Sequence, residues 1–410
     1  MSTTNIQQHN IQGLSVYTAE IPQSRSTTIE VFVKAGSVYE TQKTNGISHF
    51  LEHMFFKWGK TYPTPMAVAQ TVDAFGGEFN AYTGNEYAGY YIKCAPTHIE
   101  KALDVLADML VHAQFPKEEL EREKSVVIQE IKMYDDIPQR QVVHKRQERY
   151  YGNNSYGWTT LWPVDNIKAF TQEHLFQHKN SLYTKDNMCI VIAGALPAPE
   201  KYIDLMHQLF DGLPSQATFP KPALPTYRPN TSHHCEQKGT QQNHLIISAD
   251  GSSMHDPDIY ATKLAANILG GSMSSRLFQE IREKRGLCYY VHGQHHASDQ
   301  DGVYMIRAGI EKERWEFGRK AIIEQIHDIA AGNITEEEYM TARGNLTWSL
   351  NISLETSDQL ASFIGTQALF KDQIQTPEEI LHKYHHVTHD EIKQAAQRLA
   401  PDRLYSYRLK

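Results

Sequence analysis

Two histidines and a glutamate stand at the spacing of a metal site near the start of the chain. His49 and His53 are four residues apart, and Glu52 precedes the second histidine. If this segment is helical, both imidazoles project from one face a turn apart and can bind the same metal ion. The carboxylate of Glu52 would lie beside the metal, where it could take a proton from a water molecule. The order His-x-x-Glu-His therefore predicts the chemistry of a zinc hydrolase.

A third ligand must come from elsewhere, because catalytic zinc commonly has three protein ligands and keeps one position for water. The strongest candidates are Glu123 and Glu130, which are seven residues apart in a helix-like stretch. Seven residues make two helical turns, so the two carboxylates face the same way. One could bind the metal while the other holds a histidine in place, and the spacing alone leaves the choice open. Without the histidines, a solvated acidic face would be the better interpretation.

The histidine segment has the features of a buried helix. Asn45 precedes it and can cap the first turn. The apolar residues of the segment fall at positions that form one broad face, and they are Ile47, Phe50, Leu51, Met54 and Phe55. Because a helix buried by such a face is held rigidly, we expect the two histidines to be fixed in position.

Composition and charge limit the classes of protein that remain possible. The chain has 410 residues, of which 40% are hydrophobic and 21% are charged, as is usual for a globular protein with more than one core. The net charge is −8, and the lysines and arginines are dispersed along the chain. A basic surface for nucleic acid or for an anionic membrane is therefore not expected.

The sequence also bears on location and on the type of metal ligand. The first residues lack the pattern of a secretion signal, and no apolar run is long enough to span a membrane. A cytoplasmic protein without a membrane segment is expected. The four cysteines are far apart and form no Cys-x-x-Cys pair. Since neither a disulfide framework nor a thiolate site is indicated, any metal should be held by nitrogen and oxygen.

A proline-rich stretch divides the chain nearly in half. Prolines at 214, 220, 222, 225 and 229 exclude a helix or a central strand, so residues 214–230 are predicted to be a linker. Residues 1–213 would form a catalytic zinc-binding domain, and residues 231–410 would form a duplicated domain. Similar strand, helix and closing segments at a nearly constant offset indicate the duplication. The alternative is the general likeness between any two α+β domains.

Strands and long helices are mixed within each half. Tyr87–Cys94 and Asp301–Ile310 have the composition of strands, and Glu100–Ala113 and Glu313–Ala331 have the pattern of helices. The order does not follow the regular alternation of a doubly wound parallel sheet. It predicts an α+β fold in which each half has a mixed or antiparallel sheet with helices packed on one face.

Several motifs resemble those of the pitrilysin or insulinase family of metallopeptidases, family M16, which includes the mitochondrial processing peptidase, insulin-degrading enzyme and small bacterial members. These motifs stand in the family's order and spacing, and they are Ala35–Glu40, Asn45–Lys57, Phe75–Thr83 and the stretch with Glu123 and Glu130. The resemblance covers nearly the whole chain. It implies the LuxS/metallopeptidase-like fold of that family, with this chain as half of a clamshell.

The resemblance implies a role for each candidate residue of the metal site. His49, His53 and Glu130 match the family's zinc ligands. Glu52 matches the general base, and Glu123 matches the second acidic residue that supports the site. The implied cofactor is therefore a zinc ion, bound by two nitrogen atoms and one carboxylate.

The second half contains a segment, Leu269–Val291, that is similar to the family's Arg/Tyr element. By that resemblance Arg282 and Tyr289 bind substrate near the zinc, where hydrogen bonds from both side chains could hold a carbonyl or an oxyanion. From its chemistry alone, Arg282 would be a surface helix residue. The segment matching the metal helix, Ala261–Leu269, has neither histidine nor acid, so only the first copy is predicted to bind zinc.

Two further segments admit two interpretations each. Asn80 and Ala81 lie in a probable strand whose edge could pair with an extended substrate, and the alternative is a strand paired within the sheet. The histidines at 382, 385, 386 and 389 could suggest a second metal site. However, Thr388–Glu391 has the pattern of a capping box that begins a new helix, so a structural or surface role is predicted for them.

Together these features predict a zinc endopeptidase that cleaves unfolded peptides. Family clamshells need four such domains and this chain has two, so a homodimer enclosing a chamber is expected. In it, Arg282 and Tyr289 would reach the zinc site of the other subunit. The alternatives are a nonenzymatic assembly or scaffold subunit, like the core proteins of the respiratory bc1 complex, and a processing subunit that is active only with a partner.

Overall fold

The computed structural model describes residues 5–161, 163–220, 223–225 and 232–410. The chain forms two compact units, each built from separate stretches of sequence. The first unit comprises Met1–Lys132, Trp158–Ala223 and Ile352–Thr376, and the second comprises Met133–Gly157, Leu224–Asn351 and Pro377–Lys410. The predicted linker at 214–230 lies partly outside the described residues, which omit 221, 222 and 226–230. The domain boundaries at 213 and 231 stay a prediction.

The strands and helices of the described residues follow in chain order. The strands are β1 (Ile6–Ile11), β2 (Leu14–Glu20), β3 (Thr27–Val33), β4 (Glu78–Thr83), β5 (Ala88–Cys94), β6 (Met188–Gly194), β7 (His233–Glu236), β8 (Asn243–Asp250), β9 (Cys288–Ala297), β10 (Gly302–Ile310) and β11 (Tyr405–Leu409). The helices are α1 (Ile47–Phe55), α2 (Pro65–Ala74), α3 (Ile99–Val111), α4 (Lys117–Asp135), α5 (Pro138–Tyr151), α6 (Val164–Ala169), α7 (Gln172–Leu182), α8 (Pro199–Leu209), α9 (Ile259–Ala266), α10 (Trp315–Ala330), α11 (Glu336–Ile352), α12 (Ser357–Phe370), α13 (Pro377–His386) and α14 (His389–Ala396).

A mixed sheet forms the centre of the first unit. Its order over the described residues is β1-β2-β6-β3-β5-β4. The β2–β6 pair is parallel, and the other neighbouring pairs are antiparallel. Every residue of β3 is buried, as expected for a central strand with helices on both faces. Strand β4 is one of the two edge strands of this sheet.

Helices cover both faces of this first sheet. On one face, Phe55 of α1 packs against Tyr90 of β5, with the ring centroids 5.4 Å apart. On the other face, Phe32 of β3 belongs to a buried apolar cluster with Leu360 and Ile364 of α12. Because side chains alternate along a strand, Glu30 shares the α12 face with Phe32. The sheet thus separates what α1 contacts from what α12 contacts.

The second unit repeats this pairing. Its sheet has the order β7-β11-β8-β10-β9, in which β7 and β11 are parallel and the remaining neighbours are antiparallel. The same order and directions run through β2-β6-β3-β5-β4 of the first unit. One apolar cluster joins the sheet to α9, α10 and α14. A separate cluster joins the opposite face to α5, through Val142 and Tyr150.

The predicted α+β class with mixed sheets is confirmed. The prediction lacked one helix on the second face of each sheet: α12 on the first and α5 on the second. In chain order, α12 follows the proline-rich stretch and α5 precedes it. An apolar strand face must be covered, but its pattern does not say which part of the chain supplies the cover. Within the described residues, no helix combines the length and apolarity needed to cross a membrane.

Candidate metal centre

Helix α1 carries both histidines of the motif, as the spacing predicts. His49 and His53 stand one turn apart on it, and their ring centroids are 4.6 Å apart. The apolar face of the helix is fully buried by the core, through residues that include Phe50, Leu51 and Met54. Burial of that face fixes the helix, and the helix fixes the direction of both imidazoles.

The prediction that Asn45 caps α1 is wrong. Gly46, not Asn45, is the N-cap, with a left-handed φ of 95° that a side chain would strain. The carboxylate of Glu40 takes over the capping role by accepting hydrogen bonds from the backbone N–H groups of Gly46 (2.8 Å) and Ser48 (2.9 Å). The Asn45 side chain instead donates to the same carboxylate, at 2.8 Å. Burial raises the pKa of the Glu40 carboxyl, while these hydrogen bonds and the dipole at the helix N-terminus favour its charged form.

Helix α4 brings Glu130 to the two histidines. The Nε2 atoms of His49 and His53 are 3.2 Å apart. The Oε2 atom of Glu130 lies 3.4 Å from Nε2 of His53 and 3.7 Å from Nε2 of His49. Among the described residues, this is the one group of three or more His, Cys, Asp or Glu side chains whose ligand atoms all lie within 4.8 Å of one another.

These distances fit a zinc ion. With Zn–N and Zn–O bonds of about 2.0–2.1 Å, a tetrahedral site places neighbouring ligand atoms about 3.3 Å apart. The three separations of 3.2, 3.4 and 3.7 Å lie around that value. Two imidazole nitrogens and one carboxylate are also the donor types that catalytic zinc sites use. The side chains therefore form a ready three-ligand set.

Glu123 lies on the outer side of His53. Its Oε1 accepts a hydrogen bond from Nδ1 of His53 at 2.8 Å, and its Oε2 accepts one from Nζ of Lys57 at 2.8 Å. A proton fixed on Nδ1 leaves the Nε2 lone pair pointing at the ligand set. The choice that the spacing left open is answered by position: Glu130 contacts both imidazoles, and Glu123 holds one of them.

The electrostatics of the pair favour a cation in the site. Burial, with His53 beside it, lowers the pKa of His49 to about 4, so this imidazole is neutral. Burial also works against charge on His53, but hydrogen bonds to Glu123 and Glu130 prevail and raise its pKa to about 9. Without metal, the acidic surroundings thus hold a proton on His53. A metal ion competes for the same position, and its binding releases that proton.

Glu52 lies beside the ligand set and is held by a threonine. The Oγ1 atom of Thr83, on the edge strand β4, donates to Oε2 of Glu52 at 2.6 Å. Burial raises the pKa of Glu52 above its usual range, which suits a carboxylate that has to accept a proton. Sequence reasoning missed the contacts of Thr83 and Lys57. Both residues stand inside the quoted motifs, so the motifs were the available signal.

Asn80 and Ala81 lie on β4, which is paired on one side, with β5, among the described strands. Because side chains alternate, Ala81 shares the face of Thr83 and therefore of Glu52, whereas Asn80 faces the other way. The Asn80 side chain accepts a hydrogen bond from the backbone N–H of Ala81 at 2.9 Å. The predicted pairing of this edge with a substrate stays a prediction.

Arg282 and Tyr289 belong to the second unit, so their surroundings are described within it. Arg282 lies in a short π-helical segment, Phe278–Glu283, and Tyr289 lies on β9. The guanidinium stands 4.8 Å from the ring centroid of Phe278 and 5.7 Å from that of Tyr289. Tyr289 is 77% exposed within the chain. The two predicted substrate-binding side chains are thus neighbours, and both are accessible.

The histidines near the end of the chain lie on both sides of the predicted helix boundary. Helix α13 ends at His386, and the side chain of Thr388 accepts the backbone N–H of Glu391 to cap α14. In turn, the carboxylate of Glu391 accepts a hydrogen bond from the backbone N–H of Thr388 at 2.7 Å. The predicted capping box is confirmed. The rings of His382 and His386 have centroids 4.0 Å apart and are tilted by 31°, and no acidic third ligand joins them among the described residues.

Comparison with known proteins agrees with this fold. Residues 15–164 match the family model described as insulinase (peptidase family M16), and residues 169–346 match the model described as peptidase M16 inactive domain. The three candidate metal ligands all lie in the first match, whereas Arg282 and Tyr289 lie in the second. The candidate metal site and the predicted substrate-binding pair therefore fall in different matched domains of one chain.

Relatives of similar length extend the comparison. An uncharacterized zinc protease of Bacillus subtilis, YmxG, is 33% identical over 387 residues, which cover 94% of this chain and 93% of that protein. An uncharacterized zinc protease of Rickettsia felis is 32% identical over 390 residues, with the same coverage. The crystal structure of a protease from Helicobacter pylori has a TM-score of 0.92 at 20% identity, covering 99% of this chain and 100% of that one, and shows the same fold.

The fold, the three-ligand set and the relatives together place this chain in the class of metal-dependent proteases. The chain belongs to peptidase family M16, as the two family models and the relatives show. The resemblance drawn from its motifs is confirmed.

Proposed function

We propose that the protein is a zinc-dependent endopeptidase that cleaves unfolded peptides. The observation that carries the proposal is the set of three ligand atoms, from His49, His53 and Glu130, at separations of 3.2–3.7 Å. The names of its relatives, printed as zinc proteases, support zinc as the metal. The chain's location in the cytoplasm stays a prediction from its sequence.

The residues around the ligand set divide the work of peptide hydrolysis. A bound zinc ion would polarise the scissile carbonyl and lower the pKa of water to about 7. Glu52 takes the proton from that water and passes it to the leaving amine. Thr83 holds the Glu52 carboxylate in place during both transfers. Arg282 and Tyr289 bind the substrate carbonyl or the developing oxyanion.

The proposed working form is a homodimer. Two copies supply the four domains of a closed chamber, and each Arg282–Tyr289 pair serves the metal centre of the other subunit. A chamber of this kind admits extended chains and excludes folded proteins, so its substrates are unfolded peptides. No nucleic acid or membrane is needed as a partner.

The decisive experiment measures zinc content and peptide cleavage of the purified chain together. We expect about one zinc per chain, and cleavage of an unfolded peptide that is lost in Glu52→Gln while zinc is retained. His53→Ala should lose both. A chain that binds zinc but cleaves only after addition of a partner is the partner-dependent processing subunit. A chain that binds no zinc is the scaffold subunit, and the proposal fails.

A further inference from the structure

A cavity lies in the first unit, on the α12 face of its sheet. It has a volume of about 520 Å³ and is lined by residues of β3, β4, β5 and the α12 region, among them Glu30, Tyr82, Tyr91, Asp358, Ser362 and Phe363. The metal centre lies on the other face of the same sheet. Thr83 of β4 reaches Glu52 there, whereas the preceding Tyr82 turns to the cavity. The cavity is therefore separate from the metal centre.

A buried carboxylate forms the floor of this cavity. Glu30 is 1% exposed and lies on the central strand β3. Tyr82 donates its hydroxyl to Oε1 of Glu30 at 2.9 Å, and Ser362 donates its hydroxyl to Oε2 at 3.2 Å. Both donors are neutral, so they orient the carboxylate without balancing its charge.

The charges around the cavity do not cancel. Its two acidic lining residues are Glu30 and Asp358, and the described residues that line it include no lysine, arginine or histidine. Asp358 is neutralised by Nζ of Lys93 at 2.6 Å. Glu30 makes no ion pair with a described residue, and burial raises its pKa to about 7. When it is ionised, the Glu30 carboxylate therefore lacks a counter-ion, and a ligand with one positive charge would balance it.

The remaining lining determines the rest of the ligand. The rings of Tyr82, Tyr91 and Phe363 and the side chain of Leu354 give the cavity aromatic and apolar walls. Cations are attracted to aromatic faces, and the volume is in the range of small-molecule sites. A compact ammonium group with a short apolar chain matches both the walls and the floor.

We propose that this cavity is a binding site for a small organic monocation, a primary alkylammonium, whose charged head pairs with Glu30 and whose chain packs between Tyr91 and Phe363. The hydroxyls of Tyr82 and Ser362 hold the carboxylate for this pairing. The site is independent of peptide cleavage, since none of its residues is a metal ligand or a neighbour of Glu52. Binding would stabilise the contact between α12 and the sheet, because the ligand touches both.

The test compares an amine with its neutral isostere on the full-length protein at pH 8, where the Glu30 carboxylate is ionised. Isothermal titration with n-butylamine should give saturable binding, and n-butanol should bind at least tenfold more weakly. The amine should also raise the melting temperature, and the alcohol should not. Equal binding of both compounds, or no binding of the amine, overturns the proposal.

Two variants separate this site from the metal centre. Glu30→Gln keeps the shape and removes the charge, and it should weaken amine binding at least tenfold while zinc content is unchanged. His53→Ala should lose zinc and keep its affinity for the amine. That result excludes coordination of the amine by zinc. If Glu30→Gln does not fold, Phe363→Leu removes one aromatic wall and should weaken the amine at least threefold. Unchanged amine affinity in these cavity variants overturns the proposal, whatever the peptidase assay shows.

Discussion

At the scale of single residues, hydrogen bonds assign different tasks to chemically identical carboxylates. Glu123 and Glu130 lie on the same face of α4, yet both oxygens of Glu123 are occupied, by His53 and by Lys57, each at 2.8 Å. Glu130 is directed at the imidazole Nε2 atoms instead. Lys57 thus supports the candidate metal site indirectly, because it helps to hold the Glu123 carboxylate, which in turn holds His53.

Removal of the Glu123 charge tests this division of labour. In Glu123→Gln the hydrogen bond to His53 is weakened, and we expect zinc affinity to fall by about 10–100-fold. Competition with a chromophoric chelator measures the affinity. Glu121→Gln is the matched control, because Glu121 is on the same helix but 69% exposed and paired with Lys124. Equal affinities of the two variants would show that Glu123 does not support the metal.

Thr83 gives a second prediction at this scale. Thr83→Val keeps the shape but removes the hydroxyl that donates to Glu52 at 2.6 Å. Loss of a hydrogen bond to a charged group costs about 1.5–3 kcal/mol, so kcat should fall roughly tenfold to a hundredfold. KM and zinc content should stay unchanged.

Thr83→Ser is the rescue control, because it restores the hydroxyl on the smaller side chain. Its kcat should return to within a few-fold of the original value, as measured with the same unfolded peptide. A serine variant as slow as the valine variant would mean that the methyl group, through packing of β4, is what matters.

At the scale of elements, the contact between α12 and the first sheet depends on a glycine. A side-chain carbon at Gly365 would lie 2.0 Å from the ring of Phe32, which is fully buried and cannot move aside. The backbone carbonyl of Gly365 also accepts from the thiol of Cys189, at 3.8 Å. The helix therefore approaches the sheet more closely there than any larger residue allows.

Gly365→Ala should destabilise the protein by about 1–3 kcal/mol, the usual cost of overpacking a core. Urea unfolding followed by circular dichroism measures the loss. Gly344 on α11 supplies the control, because a side-chain carbon there meets nothing within 4 Å. Gly344→Ala should be neutral or stabilise by up to about 1 kcal/mol, as expected for alanine in a helix. Similar losses in both variants would argue against a special contact at Gly365.

Glu30 makes the stability of the same element depend on pH. Its pKa is about 7 in the folded chain against 4.5 for an exposed glutamate, so folding favours the protonated form. Its contribution is fully present below pH 4.5 and is lost as the pH rises through 7. The facing groups are the hydroxyls of Tyr82 and Ser362 and the Lys93–Asp358 pair.

Glu30→Gln removes this titration. Between pH 5 and pH 8, the free energy of unfolding of the variant should rise relative to the parent by on the order of 2 kcal/mol. Urea titrations at the two pH values give the difference, and any loss common to both cancels. Parallel behaviour of the two proteins would mean that Glu30 titrates normally.

How far the sequence predicts the structure depends on the kind of contact. The spacing of His49 and His53 and the capping box at Thr388 are local patterns, and the structure contains both. The capping of α1 by Glu40 is not local enough for such a pattern, since it needs a turn that folds back by eight residues. A residue of capping type, Asn45, was available and misleading.

The packing of α5 and α12 on the two sheets could not be predicted from the sequence for another reason. An amphipathic pattern shows that a face is apolar, but several apolar faces compete for the same sheet. Glu30 was missed similarly, because one acid in an apolar strand gives no periodic signal. What the sequence lacks in these cases is the identity of the partner, which only the three-dimensional arrangement provides.

At the scale of the whole molecule, the candidate site residues are divided between the two units of the chain. The metal ligands and Glu52 lie in the first unit, and Arg282 and Tyr289 lie in the second. The first group also lies in the match to the insulinase model, and the second group lies in the match to the model described as peptidase M16 inactive domain. A homodimer with shared sites gives the second group a function, since it would serve the metal centre of the other subunit.

Subunit mixing decides whether the sites are shared. In a dimer of one Glu52→Gln chain and one Arg282→Ala chain, one site receives an intact Glu52 from one subunit and an intact Arg282 from the other. Random exchange makes half of all dimers mixed, so activity should rise from near zero to roughly a quarter of the parent level. If Arg282 acts within its own chain, every site carries one lesion and mixing restores nothing.

The reciprocal mixture removes the remaining ambiguity. A chain carrying both substitutions, mixed with an equal amount of the parent chain, leaves no intact shared site in a mixed dimer. Activity should then be roughly a quarter of that of parent protein at the same total chain concentration, whereas independent subunits would give half. Sedimentation velocity on the same samples verifies the dimer and its exchange. Because one mixture gains and the other loses activity only when sites are shared, a general effect on stability cannot produce both results.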